Sequence, residues 1–129
     1  MKILVVEDDP LHRTGLHQVL ELMLPDSEIL ESEDRDKAFQ MIDTFRRAID
    51  VVISDGHLGK HKNEGQEVLD HARAAGIPNL IFYSGLTIED TDRKPEIHYL
   101  SKGTDIRTLE NILLKINDSH QSQNNSTHQ

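Results

Sequence analysis

Three short aliphatic runs constrain this chain more than any other feature in it. Ile3-Leu4-Val5-Val6, Val51-Val52-Ile53 and Leu80-Ile81-Phe82-Tyr83 are continuous rather than alternating, and two of the three are rich in β-branched residues. A strand with one wet face would alternate, so runs of this kind predict strands covered on both faces. Helical patterns separate them. Asp9 and Pro10 read as an N-cap and first helical residue, and Leu16, Val19, Leu20 and Met23 continue an apolar stripe until Pro25. Ala38, Met41, Ile42 and Phe45 keep the same spacing, and a third helix over residues 64–75 is closed by Gly76. Weaker strands are expected near Glu28-Ile29-Leu30 and over residues 97–100. A last helix then carries the stripe Ile106, Leu109, Ile112, Leu113 and Ile116, with Thr104 as its cap. Strands that alternate with helices imply a doubly wound α/β fold, because parallel strands need right-handed crossovers that place helices on both faces of the sheet.

Composition narrows the classes of partner. The chain of 129 residues has room for one domain, expected over residues 1–118, followed from residue 119 by a polar segment read as a disordered tail. A net charge of -9 repels phosphate backbones and anionic membranes, and 4% aromatic residues offer few surfaces for base stacking, so no direct nucleic acid partner is expected. No apolar run reaches the length of a membrane span or a signal segment, which gives the expectation of a soluble, cytoplasmic protein without membrane partners. The absence of cysteine removes disulfides, thiolate catalysis and thiolate metal sites.

In open parallel sheets, ligands sit at the carboxyl ends of the strands. That rule selects Glu7, Asp8, Asp55, Ser84 and Lys102, each just at or past the end of a predicted strand. Three carboxylates brought together repel one another unless a cation joins them or a pKa rises. An all-oxygen set suits a hard ion, and a half-open one suits Mg²⁺. A carboxylate flanked by a metal, a lysine and a hydroxyl can attack a phosphoryl group, and Asp55, which ends the central strand and enters a Gly-containing loop, is the best placed nucleophile. His57 and His61 have the spacing of a metal pair but lie in a predicted loop, where solvated side chains are the simpler reading.

The segments Lys2-Ile3-Leu4-Val5-Val6-Glu7-Asp8-Asp9-Pro10, Val51-Val52-Ile53-Ser54-Asp55, Phe82-Tyr83-Ser84-Gly85 and Tyr99-Leu100-Ser101-Lys102 resemble, in order, the four marker segments of response-regulator receiver domains. The resemblance implies a flavodoxin-like sheet of five parallel strands in order 2-1-3-4-5. It implies Asp55 as the phosphoacceptor, charged by a sensor histidine kinase or a histidine phosphotransfer protein, and Glu7 and Asp8 as the acidic Mg²⁺ pair. The third metal contact, a backbone carbonyl two residues after the acceptor, falls on His57. Ser84 matches the hydroxyl that binds the phosphoryl oxygen, Lys102 the ion-pairing lysine, and Tyr99 the aromatic switch. Such a domain assists its own phosphotransfer and dephosphorylation without being an enzyme on free substrate. Standing alone, it would signal by contact with a downstream protein that the sequence does not identify, and a homodimer stays open.

The sequence departs from the family in three places. Gly59 stands where a proline is usual four residues after the acceptor, and Lys60-His61-Lys62-Asn63 lengthens the loop that follows. Gly103 replaces the cis-linked proline after the lysine. Residues 85–96 hold too few apolar side chains for a full helix, so the expected fold has a shortened or missing fourth helix. These departures keep a second reading in view, a degenerate receiver that serves as a phosphorylation-independent interaction module. A small Mg²⁺-dependent phosphohydrolase is a third, disfavoured because no separate general acid or substrate cap is evident.

Overall fold

The computed structural model describes residues 1–59, 63–85 and 93–127, with the side chains of 122–127 left aside. Five strands, β1 (Lys2–Val6), β2 (Glu28–Ser32), β3 (Val51–Ser54), β4 (Asn79–Ser84) and β5 (Ile97–Ser101), pair in parallel in the order β2-β1-β3-β4-β5. Four helices, α1 (Pro10–Met23), α2 (Arg35–Phe45), α3 (Glu64–Ala74) and α4 (Ile106–Thr127), connect and cover them. This is the doubly wound sheet that the unbroken aliphatic runs require.

Alternation along each strand sorts its side chains between two cores. Leu4, Val6, Val52, Leu80 and Phe82 face Ala38, Ile42, Val68 and Leu69 of α2 and α3. Ile3, Val5, Val51, Ile53 and Ile81 face Leu20, Leu109 and Leu113 of α1 and α4. Both sides of β1 and β3 are thus dry from Ile3 to Val6 and from Val51 to Ile53, which is why both stretches are unbroken aliphatic runs.

Local signals act as expected at α1, where the Asp9 carboxylate accepts from the N–H groups of Leu11 at 2.9 Å and His12 at 3.4 Å and Pro10 begins the helix. One expectation at α4 is corrected. Thr104 does not cap it: the helix begins at Ile106, the carbonyl of Asp105 accepts from Leu109 N–H at 2.9 Å, and the Asp105 carboxylate turns back to the Ser101 N–H at 2.7 Å. The helix continues through Thr127, over residues that the sequence assigns to the polar tail. His120, on that extension, lies 3.7 Å from the Asp50 carboxylate. The shortened fourth helix falls on residues 86–92, and part of the lengthened loop on 60–62, both outside the described residues; Gly85 and residues 93–96 are not helical. Among the described residues no helix is long and apolar enough to cross a membrane.

Candidate functional site

The sheet ladder runs one residue past β1, β3 and β5, and this fixes the site. Glu7 N–H donates to Ser32 O at 3.0 Å, Asp55 N–H to Val6 O at 2.9 Å, and Lys102 N–H to Ser84 O at 3.0 Å. The backbones that carry Glu7, Asp55 and Lys102 are therefore held by their neighbours, although their side chains emerge at the carboxyl edge of the sheet.

There the predicted residues converge. Oxygens of Glu7, Asp8 and Asp55 lie within 4.8 Å of one another, a set that could hold a cation. The Lys102 ammonium donates to the Glu7 carboxylate and, at 3.2 Å, to Asp55 Oδ2. Ser84 is buried at the end of β4 and hydrogen-bonds to Asp55. His57 lies at the exposed rim, its N–H 3.4 Å from Asp55 Oδ1. Tyr99 is apart from the cluster: its ring packs on Phe82, 5.2 Å between centroids, on the α3 side of the sheet.

Burial sets the charge state. Glu7, only 4% exposed, has its pKa raised to about 7, chiefly by loss of solvation, with the hydrogen bond from Lys102 opposing the rise. Burial would raise Asp55 too, but hydrogen bonds with Glu7 and Ser84 and the Lys102 charge outweigh it and hold Asp55 below the ordinary carboxylate value. Lys102 is raised because its hydrogen bond to Glu7 and the negative charge of Asp55 outweigh desolvation. Of the two carboxylates facing one ammonium, Glu7 is thus the one whose affinity for a proton is raised and Asp55 the one that ionises more readily.

Two of the family departures have local causes. Gly59 has φ +66°, and its N–H donates to Asp8 Oδ2 at 3.3 Å; proline could supply neither that backbone geometry nor the proton. Gly103 has φ +86°, and no cis bond occurs among the described residues, so the turn after Lys102 reverses through a left-handed glycine.

Sequence reasoning missed His12 and Gly65. His12 Nδ1 lies 3.5 Å from Lys102 Nζ and 3.8 Å from Glu7 Oε1. Its signal was its place one helical turn past Asp8, on the helix that starts at the site. Gly65 lets the first turn of α3 rest on the loop that carries Asp55, its N–H 3.3 Å from Gly56 O, and no local pattern announces such a contact. Beside the acids, a cleft of about 540 Å³ opens between α1 and the start of α4, walled by Leu11, Gly15, Leu16, Tyr83 and Ile106 and reaching Glu7, Asp55 and Lys102. It gives the Asp55 carboxylate access from outside.

No protein-family profile and no curated protein matches the sequence. Solved structures do match. The receiver domain of the hybrid histidine kinase CckA shares 26% identity, with 90% of this chain and 98% of that one covered and a TM-score of 0.71. The response regulator TrrA of Thermotoga maritima, solved in complex with Mg²⁺ and BeF, shares 24% identity over 89% of this chain and 97% of that one, with a TM-score of 0.73. The signal receiver domain of a DNA-binding response regulator from Colwellia psychrerythraea shares 20% identity over 92% and 98%, with a TM-score of 0.75.

Proposed function

We propose that this chain, a response-regulator receiver domain by fold, accepts a phosphoryl group on Asp55 and passes the signal on by contact with another protein. The observation that carries this reading is the convergence on one ion-paired cluster of Glu7, Asp8, Asp55 and Lys102, with Ser84 bonded to Asp55.

Asp55, kept ionised below its ordinary pKa, is the nucleophile. One of its oxygens attacks phosphorus, an O–P bond forms, and the bond to the donor's leaving group breaks with its electron pair going to that group; for a phosphohistidine donor the leaving group is the imidazole. Lys102 Nζ, already 3.2 Å from Asp55, and the Ser84 hydroxyl donate to the oxygens of the transferred group. The hard carboxylate set fits Mg²⁺, held by Glu7, Asp8, Asp55 and the His57 carbonyl, and the ion when bound would neutralise charge on the phosphoryl oxygens. The donor is a sensor histidine kinase or a histidine phosphotransfer protein, and Tyr99 acts as the switch that relays occupancy. The domain promotes its own phosphorylation and its loss, and turns over no free substrate.

The test is acid-labile phosphate incorporation from a small phosphodonor with Mg²⁺. Wild type takes up label and Asp55→Asn does not. Label retained by the variant removes Asp55 from the role. A wild type that neither takes up label nor shifts its amide resonances with Mg²⁺ and beryllofluoride would instead be an interaction module independent of phosphorylation.

A further inference from the structure

On the α3 side of the sheet, away from the acids, four side chains close a hydrogen-bonded circuit. Tyr99 Oη donates to Gln66 Oε1 at 3.0 Å and accepts from the backbone N–H of Lys94 at 3.1 Å. Gln66 Nε2 donates to Asp70 Oδ1 at 3.1 Å, and Lys94 Nζ donates to that same oxygen at 2.6 Å. All four residues are half-buried. The Tyr99 ring lies against Phe82, and the Arg93 guanidinium stands 5.6 Å from the ring centroid. The circuit thus joins three pieces of chain: α3 through Gln66 and Asp70, β5 through Tyr99, and the residues leading into β5 through Lys94.

We propose that Tyr99, Gln66, Asp70 and Lys94 form one latch, which fixes the residues leading into β5 against α3 and opens or closes as a unit through the Tyr99 hydroxyl. The chemistry makes the four contacts interdependent. A tyrosine hydroxyl has one proton, and here it goes to the Gln66 carbonyl, which turns the Gln66 amide nitrogen toward Asp70. Asp70 thereby receives two donors and holds the Lys94 ammonium, and the Lys94 backbone N–H returns to the hydroxyl. Each bond polarises the next, so the circuit is more stable closed than any one pair would be. Removing the hydroxyl leaves a half-buried N–H and a half-buried amide carbonyl without their partner, which favours release of the whole circuit over a half-made one.

The latch is joined to the loop that carries Asp55 through the residue before Gln66. Gln66 follows Gly65, whose N–H rests on Gly56 O at the loop carrying Asp55. A shift of that loop therefore reaches the latch through the first turn of α3. The use of the latch to report phosphorylation rests on the function proposed above; the latch itself does not.

The experiment is amide hydrogen exchange by NMR on the full chain, read at Lys94. Tyr99→Phe keeps the ring on Phe82 and removes only the hydroxyl, and Lys94 exchange rises about tenfold. Gln66→Leu removes no hydrogen bond that the Lys94 amide itself makes, yet it produces a rise of similar size at that amide, and the double variant exchanges no faster than either single one. Unchanged exchange at Ile53 and Leu113 shows that the cores are intact. Should a variant fail to fold, Asp70→Asn reads the same amide with a milder change, about threefold. Wild-type exchange at Lys94 in Gln66→Leu, or effects that multiply in the double variant, overturns the latch. Wild type with Mg²⁺ and beryllofluoride, monitored by fluorine NMR, tests the link to the acceptor. Bound fluoride with faster Lys94 exchange supports the link, and bound fluoride with none overturns it. Absence of binding overturns the proposed function, while the variant data still decide the latch.

Discussion

Alanine at Gly15 and alanine at Gly65 are the same chemical change in the same kind of element, yet the structure predicts opposite outcomes. In a helix interior the exchange is worth about 1 kcal/mol in favour of alanine. Gly15 lies in the middle of α1, and nothing stands within 4 Å of a Cβ added there, so Gly15→Ala is expected to realise that gain. At Gly65 the added Cβ would sit 1.9 Å from the Asp55 carbonyl oxygen and 2.6 Å from Gly56 Cα. Since such contacts are not made below 3.0 Å, the first turn of α3 has to retreat. The retreat, about 1 Å, overpacks a buried site at a cost of roughly 1–3 kcal/mol. It also breaks the 3.3 Å bond from Gly65 N–H to Gly56 O, a loss of about 1 kcal/mol. The propensity gain is smaller at this second helical position, so the net expectation is a loss of about 2 kcal/mol. Equilibrium urea unfolding of the two variants measures both signs, with the midpoint moving up for Gly15→Ala and down for Gly65→Ala. A Gly65→Ala protein as stable as wild type would refute the close approach of α3 to the Asp55 backbone, and a destabilised Gly15→Ala would refute the open space beside α1.

Two further expectations concern pH. The Glu7 pKa of about 7 stands above its ordinary 4.5, so the folded state favours the proton; the stability this lends is complete below about 4.5 and is lost as pH rises through 7. Permanently neutral Glu7→Gln should escape that loss, which amounts to as much as about 3 kcal/mol, and urea midpoints across this range in chelator would run parallel for the two proteins if Glu7 were not the titrating group. His17 Nδ1 lies 3.0 Å from Glu31 and Nε2 2.9 Å from Glu21, and only a doubly protonated ring donates to both. Burial pulls its pKa down, but those bonds outweigh it and raise it above 6.5, so the clasp between α1 and β2 holds below that value and weakens as pH rises through the folded-state pKa. His17→Gln should therefore cost stability in mildly acidic solution and little in alkaline solution, and an equal cost in both would refute the charged clasp.

The candidate site was legible because its residues are anchored to features that are themselves local. A strand that ends in Glu7-Asp8 or in Asp55 delivers those side chains to the edge of the sheet whatever the helices do, and the doubly wound order puts those edges side by side. His12, Gly65 and the partners of Tyr99 were not legible in this way. His12 reaches Lys102 across 90 residues of sequence and Tyr99 reaches Gln66 across 33, and no periodicity encodes which loop or helix turn arrives opposite. The Thr104 cap failed for a related reason: Asp105 competes for the turn after β5, and its carboxylate found the Ser101 N–H.

By itself, the order of residues determined the secondary elements, their parallel pairing and the strand ends that bear charge, since each depends on periodicity and on which side chains tolerate water. Only the tertiary structure decided that the Glu7 pKa rises while that of Asp55 falls, that one helical glycine is crowded while another is free, and that Tyr99 is tied to α3. Those properties come from desolvation and contact distances, which exist only once remote segments have been brought within a few ångströms of each other.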